Sequence, residues 1–449
     1  MIKNIIESNK AQLEAYRAKW GYYMSEDLYV PVKTRPCVSP LKAATETRIH
    51  ADFMTDIVDL KVGYLYSKIA MNSSDSNIQE ILNSVDLNNH ILSMNIESGR
   101  YAAACGLSWR LAYNSHGVLK FKNIPSWQII PIYEDDIYNP TQIFYLHKDC
   151  VDVYEMPVGS QYSTVTYWIW DPKAGMKKQG DFVPNNIAQN GGNVDITMFN
   201  TIPFIPFLNN GLFKGNCDNT FDMMNAYDNL ESDVVSEVRA SRLSYLKIWG
   251  ELNTNLEGPD GKPYVVPLTE WLQQTGTMNF GVDDQGAKYG DAQFLEKSLN
   301  DSVSEHQLDR LRQQIYEQSR SIDIKELTDA ASGARVFTVK AALMRFEIDA
   351  ATTESFLRRS LIKQLGLISS YEAASGRTIF NPFDVSIFIG RSFPVDVDTA
   401  ATALKAMLEV LPVEAAYAKS DLVEASEVKD LSDKFRNEQE TSMLNVDVP

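Results

Sequence analysis

The sequence predicts a mixed α+β fold built from several units, and three observations lead to that prediction. Long stretches repeat apolar residues every three or four positions, which is the period of an amphipathic helix. Residues 107–170 instead contain short apolar and aromatic runs separated by turn residues, which is typical of β-strands. The length of 449 residues suggests two to four domain-sized units.

The first half of the chain begins with helical patterns. Apolar side chains in residues 2–16 share one face of a predicted helix, and a second helical pattern covers residues 50–71. A third helix is expected over residues 78–104, and Gly106 marks its end. These stripes need partners, so each helix is expected to pack against another element.

Strand patterns follow the third helix. The turn residues 114–117 predict a hairpin between two strands, because Asn, Ser, His and Gly tolerate tight turns. Further strands are expected over residues 127–133, 142–154 and 162–170. Residues 171–200 are rich in Gly, Asn and Asp, which predicts an excursion on the surface.

The second half alternates long helices with a small β-rich unit. Its predicted elements, in order, are a helix over 221–247, the β-rich unit 248–294, a helix over 300–321, a loop of small and polar residues over 323–335, a long helix over 336–368, a short helical piece over 370–377, a strand over 385–389, and helices over 399–411 and 413–435. In the first of these helices, Asp228 is expected on the charged side, away from Met224 and Tyr227.

The formal net charge of −17 argues against a protein that grips nucleic acid. Tight binding comes mainly from Lys and Arg replacing counterions on phosphates. A channel through which DNA slides is a different case, since it gains from weak and unspecific contact. The charge therefore disfavours a DNA-binding factor more than a conduit.

The cysteines and the hydropathy of the chain indicate a reducing compartment and no membrane insertion. Cys37, Cys105, Cys150 and Cys217 are far apart and form no CxxC pair, so they are expected to be buried or half-buried apolar side chains. No apolar run reaches the ~18–20 residues that span a bilayer, and no signal-peptide core is expected near the N-terminus.

No motif of covalent chemistry is present. The segment 258–263, GPDGKP, has the wrong spacing for a phosphate-binding loop and predicts a turn. HExxH, GxSxG and GxGxxG do not occur, and the histidines are scattered over different predicted elements. The acid pairs at 135–136 and 283–284, and the fragment Glu427-Val428-Lys429, are interpreted as turn and surface residues. No cofactor and no metal are expected.

Several segments resemble the portal proteins of tailed bacteriophages, especially those of long-tailed phages. DFMTDIVDLKVGYLYSKIAM is similar to an early family helix, and CGLSWRLAYNSHGVLKFKNIPSWQIIPIYEDD to the family's strand region. The strongest likeness lies within residues 202–249. Its matching residues are Ile202, Pro203, Phe207, Asn209, Asn210, Tyr227, Asp228, Glu231, Ser232 and Asp233.

A fourth segment, DAASGARVFTVKAALMRFEIDA, is similar to the family's junction between channel loop and long helix. Here Ala334 directly follows Gly333, and Lys340 stands several residues further on, which departs from the family's spacing. The likeness extends over roughly residues 50–375 and is weaker in the short, acidic C-terminal part.

The resemblance implies a portal fold with an α/β wing, a two-helix stem, a small β-rich clip, a long spine helix and a short helical crown. The implied boundaries are a wing over 1–218, stem helices over 219–247 and 296–321, a clip over 248–295, a tunnel loop over 322–335, the spine with the rest of the wing over 336–391, and a crown over 392–449.

The resemblance also implies which residues meet DNA. The loop that would face the channel consists of Ile324, Lys325, Glu326, Leu327, Thr328, Asp329, Ala330, Ala331, Ser332, Gly333, Ala334 and Arg335. Lys325, Arg335 and Lys340 are candidates for transient contact with phosphates. Alternatively, these three cations pair with Asp323, Glu326 and Asp329, and the sequence leaves both possibilities open.

The implied role is structural and not enzymatic. The resemblance implies a ring of about twelve copies, which would form the channel for double-stranded DNA. The implied partners are the terminase large subunit, a head-completion or adaptor protein, and the major capsid and scaffolding proteins. The implied location is the portal vertex of the virion, and the host cytoplasm during assembly. The alternatives are a metal-dependent phage nuclease or hydrolase, and a capsid or baseplate component without a channel.

Overall fold

The fold is known from a computed structural model. It describes residues 2–26, 49–147, 150–156, 164–171, 181–185, 198–241, 245–250, 255–257, 263–265, 290–295, 301–323, 336–391, 404–408, 411–419, 431–432 and 434–435. The chain divides into two compact units. The first contains Met1–Pro31, Asp52–Asp222 and Gln313–Pro449, and the second contains Val32–Ala51 and Met223–Arg312.

The first unit mixes helices with antiparallel sheets. Its helices are α1 (Ile2–Tyr23), α2 (Phe53–Tyr66), α3 (Ser76–Asn89) and α4 (Ile91–Cys105). Its strands are β1 (Lys68–Asn72), β2 (Leu107–Ser115), β3 (Val118–Pro125), β4 (Ile129–Ile132), β5 (Gln142–Leu146), β6 (Cys150–Glu155), β7 (Thr164–Asp171), β8 (Asp181–Asn185) and β9 (Phe204–Leu208). The mixture confirms the predicted α+β class.

Helix α1 packs against one face of the sheet β4-β5-β6-β7-β8. The apolar residues predicted to share one helix face make this contact, which buries Ile130, Phe144, Val151 and Val153 beneath Ile2, Ile5, Ile6 and Leu13. The periodicity of 3.6 residues in the helix and of two in the strands brings these side chains together. The predicted amphipathic helix is confirmed.

A three-stranded sheet with the order β3-β2-β9 forms the centre of the first unit. The predicted hairpin is present, and its turn is shorter than expected. His116 and Gly117 both have positive φ (53° and 79°), as a two-residue type I′ turn requires. All residues of β9 are buried, which explains why the short run 204–208 is apolar or proline throughout.

The single helix predicted over residues 78–104 is wrong, because it divides into α3 and α4 at His90. His90 has left-handed backbone angles (φ 53°, ψ 57°). Two side chains stabilise the break: the Asp86 carboxylate accepts from Ile91 N–H, and Asn89 bonds to the backbone of β3 at Leu119 and Phe121. The predicted end at Gly106 is confirmed (φ 97°), and a Cβ there would lie 2.1 Å from the Phe213 carbonyl oxygen.

The long helix extends further than the sequence predicts. Helix α6 (Asp301–Gln318) is followed along the chain by α7 (Val336–Ala374). Helix α7 contains 39 residues and is about 58 Å long at 1.5 Å per residue. The sequence predicts an end at residue 368, two positions after Gly366. The neighbouring Leu365, Leu367 and Ile368 are buried, and this burial outweighs the roughly 1 kcal/mol by which glycine disfavours a helix.

Two strands lie where other structure was expected. Residues 68–71 were predicted to be helical, but they form β1, which pairs with β14 (Ser386–Gly390). The predicted surface excursion contains β8, which pairs with β7. Both strands depend on pairing partners that a local pattern does not reveal. The predicted strand near residues 385–389 is confirmed by β14.

The second unit contains most of α5 (Phe221–Ser241), the first part of α6 (Asp301–Gln318) and two small sheets. Strand β10 (Tyr245–Gly250) pairs with β13 (Gly290–Leu295), and β11 (Asn255–Glu257) pairs with β12 (Pro263–Val265). The helix predicted to continue to Lys247 ends at Ser241, since the aromatic and β-branched residues that follow pair as a strand. The described residues of the predicted β-rich unit 248–294 belong to these strands.

Near the C-terminus, the structure describes α8 (Val413–Lys419) within the second of the two helices predicted there.

Among the described helices, none combines the length and hydropathy needed to cross a membrane. Cys105 and Cys217 are buried and Cys150 is half-buried, as predicted. Cys37 lies outside the described residues.

Because the Cys105 and Cys217 thiols are buried, the free energy of unfolding decreases as the pH becomes alkaline. Burial raises the pKa of Cys105 and of Cys217 from 9 to about 12. The folded state therefore retains protons that the unfolded state loses between pH 9 and 12, and the free energy of unfolding falls with rising pH in that window. Each thiol contributes up to about 1.4 kcal/mol per pH unit.

We predict that the double variant Cys105→Ala, Cys217→Ala loses less stability than the parent between pH 9 and 10, because it lacks the two thiols whose protons the folded state retains. Urea denaturation across this range measures the difference in slope. Equal slopes for the two proteins would contradict the assignment.

Candidate functional site

The predicted channel loop, from Ile324 to Arg335, lies outside the described residues, so its position and the proposed contacts of Lys325 and Arg335 stay predictions. Lys340 lies in α7, and its side chain is likewise outside the description. The chain on both sides is described. Residues 301–323 lead into the loop and α7 follows it.

A lysine lies in the core, close to the chain segments that precede and follow the predicted loop. Lys61 occupies the apolar stripe of α2 between Ile57 and Leu65, and only 1% of the residue is exposed. Its ammonium donates to Asn209 Oδ1 (2.8 Å), Asn216 Oδ1 (3.2 Å) and Asp349 Oδ2 (2.6 Å). All three N–H groups of the ammonium therefore have acceptors, which offsets the cost of removing the charge from water.

Asp349 is the counter-charge of Lys61. Its Oδ2 also accepts from Asn216 (3.2 Å), and its Oδ1 lies 3.6 Å from Arg320 Nη1. Burial lowers the pKa of Lys61, and Asp349 opposes that shift. We call Lys61, Asn209, Asn216, Arg320 and Asp349 the Lys61 cluster. Removing one partner of such a buried pair costs about 3–5 kcal/mol, because the other charge stays buried.

Helix α2 also contacts both flanks of the channel loop outside this cluster. On the preceding side, Tyr316 donates to Asp56 (2.7 Å) and its ring packs edge-on against Phe53. On the following side, Tyr64 donates to Glu347, and its ring lies 5.0 Å from that of Phe346. One helix thus contacts the chain before and after the loop.

Arg391 fixes the α7 side further. Its Nε donates to Glu347 (3.0 Å) and its Nη2 to Glu354 (2.7 Å). These contacts hold the chain after β14 against α7. The hydrogen bonds from Arg391 and Arg358 lower the pKa of Glu354 despite its partial burial. The carboxylate therefore remains charged at neutral pH.

A second buried cation stabilises the central sheet. Arg110 on β2 is fully buried, and the oxygens that it binds are neutral: Asn123, Asn95, Gln364 and Ser98. Its guanidinium also lies 4.5 Å from the centre of the Phe207 ring. Burial lowers the pKa of Arg110 to about 9, so it is charged at pH 7. The contacts join α4, β2, β3, β9 and α7.

In the second unit, α5 binds the chain that precedes α2. The Asp228 carboxylate accepts from Ala51 N–H (3.0 Å) and pairs with His50 Nδ1 (2.6 Å). Ser232, one turn further on, accepts from Ile49 N–H (3.0 Å). The expectation that Asp228 lies on the charged side, away from Met224, is wrong, because both residues are buried and 1% of Asp228 is exposed. It is buried because it satisfies backbone and imidazole donors.

No metal centre is found in the part of the chain that the structure describes, where no group of three His, Cys, Asp or Glu side chains converges. Asp136 pairs with Arg359, and its backbone forms part of a turn. His147 pairs with Asp152 and stacks on Tyr145. Asp283, Asp284 and the fragment 427–429 lie outside the described residues.

Sequence reasoning did not single out Lys61, Arg110 or Asp349. A signal for Lys61 exists, since it follows Ile57 by four positions and precedes Leu65 by four, inside an apolar stripe. Lys61, Asn209 and Asp349 also lie in three of the segments that carry the family resemblance. The structure brings these three residues together.

Comparisons with known proteins agree with this resemblance. The family model described as "Phage portal protein, SPP1 Gp6-like" matches residues 2–441. No curated protein sequence matches the chain significantly. The solved structure "Neck of empty GTA particle computed with C6 symmetry" is similar at 11% identity and a TM-score of 0.40, covering 92% of this chain and 98% of that chain. "Virion of native gene transfer agent (GTA) particle" is similar at 11% identity and a TM-score of 0.39, with coverages of 84% and 88%.

We predict that Asp228→Ala increases hydrogen exchange of the Ala51 amide by about tenfold to a hundredfold. The reason is the loss of a hydrogen bond to a charged acceptor, which is worth about 1.5–3 kcal/mol. Exchange measured by mass spectrometry on peptides that cover residues 49–52 tests this. Asp233→Ala, at an exposed position of the same helix, is the control and should change little. An equal effect of both variants would contradict the prediction.

We predict that Arg110→Met lowers the free energy of unfolding by about 3–5 kcal/mol, because four neutral oxygens lose their donor inside the core. Chemical denaturation followed by tryptophan fluorescence measures the loss. Arg100→Met is the matched control. That arginine is half-exposed and pairs with Asp59, so its removal should cost at most about 1 kcal/mol.

Proposed function

Because the chain belongs to the phage portal protein family of the SPP1 Gp6-like type, we propose that it forms the channel for double-stranded DNA at the portal vertex of a phage or phage-like particle. The observation that carries the proposal is the extent of the family match, which covers residues 2–441. The protein's role in the portal is structural. The proposal assigns it no covalent chemistry, and it extends to packaging and ejection of the genome.

Assembly into a ring of about twelve copies is the first part of the proposal. The second unit supports it, since its described helical residues bury few side chains: Met224, Asp228 and Ser232 on α5. Apolar side chains on α6 stay half-exposed at Leu308 and Leu311, and Val303 is exposed. Two helices that leave apolar positions open gain stability from neighbours. We assign α5 and α6 to a stem and the strands β10–β13 to a clip.

The second part concerns the channel wall. We assign Ile324–Arg335 to the loop that faces the DNA, with α7 as the spine behind it. Lys325, Arg335 and Lys340 are the proposed phosphate contacts. The net charge of −17 per chain is multiplied in a ring, so DNA is repelled overall and touches a few cations only transiently. Weak contact of this kind allows sliding.

The third part concerns partners and location. A portal vertex must connect the capsid shell to the packaging motor and later to the tail. We propose that the clip and stem dock the terminase large subunit during packaging and a head-completion protein afterwards, while the wing contacts the major capsid and scaffolding proteins. Assembly takes place in the host cytoplasm, and residues 392–449 form the crown.

Electron microscopy of the purified protein tests the channel directly. We predict closed rings with an axial opening wide enough for duplex DNA, and no turnover of DNA or nucleotides by the protein alone. Particles without an axial hole would favour a capsid or baseplate role. Hydrolysis of DNA that resists further purification would favour the nuclease alternative.

A deletion tests the loop. We predict that removing Ala330–Gly333 leaves the rings closed and impairs packaging or retention of DNA, because the loop touches the DNA and not the neighbouring subunit. Ring closure is scored by microscopy, and DNA content by nuclease protection. Loss of ring assembly would show that the segment belongs to a subunit contact instead.

A further inference from the structure

We propose that α2 is the fixed base of the channel loop, and that the Lys61 cluster holds together the two chain ends from which this loop departs. The inference rests on the proposed function, since it takes residues 324–335 as the channel loop. It goes further in assigning a positioning role to residues outside the channel wall, namely Lys61, Asp349 and Arg320.

The end that precedes the loop is held tightly. Ile315, Tyr316 and Ser319 at the end of α6 are buried. Tyr316 binds Asp56 of α2, and Arg320 reaches Asp349. Arg320 has a positive φ of 57°, so the chain leaves the helix through a left-handed residue. Arg320 is four positions before the first residue of the loop.

The end that follows the loop is held by the same helix. Phe346 and Ala350 of α7 are buried, while Glu347 and Asp349 bind Tyr64 and Lys61 of α2. Asp349 contacts α2 and Arg320 simultaneously. The carboxylate therefore links the chain before the loop to the chain after it through one side chain.

The cluster resists displacement for an electrostatic reason. Lys61 has no exposed route to water, and its three donors are used. Moving Asp349 away would leave a buried ammonium with amide oxygens alone, which is strongly unfavourable. Helix α2 is itself fixed, because Met54, Ile57, Val58 and Leu65 are buried. A load applied to the loop by moving DNA is consequently transmitted to the core of the first unit.

The test compares two Lys–Asp pairs of the same unit, of which the Lys61–Asp349 pair has the buried lysine and the Lys19–Asp218 pair is half-buried. Asp349→Asn removes the counter-charge of Lys61, and the control Asp218→Asn removes that of Lys19, whose Nζ–Oδ2 distance is also 2.6 Å. Hydrogen exchange of the full-length protein is followed in peptides covering residues 313–323 and 343–350. We expect Asp349→Asn to accelerate exchange in both peptides by about tenfold or more, and Asp218→Asn to leave both unchanged.

Two outcomes would overturn the proposal. Equal acceleration by both variants would mean that the cluster contributes only general stability. Acceleration in residues 343–350 without any in 313–323 would mean that Asp349 does not link the two ends.

A second variant keeps the test decisive if Asp349→Asn fails to fold. The double substitution Lys61→Met, Asp349→Leu removes both charges and is expected to preserve the melting temperature, as apolar replacement of buried pairs often does. It still releases Arg320, so exchange in residues 313–323 should increase while the melting temperature stays within a few degrees. Unchanged exchange in this stable variant would overturn the proposal. Failure of the proposed function is distinguishable, since the unaltered protein would then form no closed rings.

Discussion

The ammonium of Lys61 can lie inside this protein because Asp349 and two asparagines surround it. Much of the first unit depends on that condition. Asn209 reaches the cluster from the end of β9, and its carbonyl oxygen accepts from Thr353 of α7 (2.9 Å). Asn216 comes from the loop that follows and binds Asp349 as well. The hydrogen bonds to this one buried cation thus order α2, the loop after β9 and α7 together. Arg110 has a comparable role beside the central sheet, where four neutral acceptors from three elements converge on it.

The sequence correctly predicts those elements of the fold that depend on residues close together along the chain. The apolar face of α1, the hairpin between β2 and β3, and the helix end at Gly106 depend on side-chain period and on residues that tolerate positive φ. The errors occur where distant partners decide. Residues 68–71 become a strand because they pair with β14, and Tyr245 begins a strand because β13 is available. Helix α7 passes Gly366 because the surrounding leucines are buried. None of these partners can be seen within a window of fifteen residues.

The candidate site divides in the same way. The family resemblance identified the segments that matter, including those that contain Lys61, Asn209, Asp228 and Asp349. It did not show that three of these residues meet, since spacing along the chain carries no information about contacts between segments. Asp228 illustrates the limit of amphipathic reasoning. The sequence pattern places this carboxylate on the charged side of the helix, yet the backbone N–H of residue 51 and the His50 imidazole make its burial favourable. A polar group can be buried where it has hydrogen-bonding partners, and a hydropathy pattern gives no information about such partners.

The distance between Lys61 and Asp349 along the chain, 288 positions, also has a consequence for biosynthesis. A ribosome that adds about 5–20 residues per second needs roughly a quarter of a minute to a minute to cover it. Throughout that time α2 has emerged, but the carboxylate that neutralises its lysine does not yet exist. The nascent helix must keep this ammonium hydrated, so the first unit closes only after the long helix has been translated. A chain truncated before residue 349 would consequently remain open and would expose the apolar stripe on either side of Lys61 to chaperones and proteases.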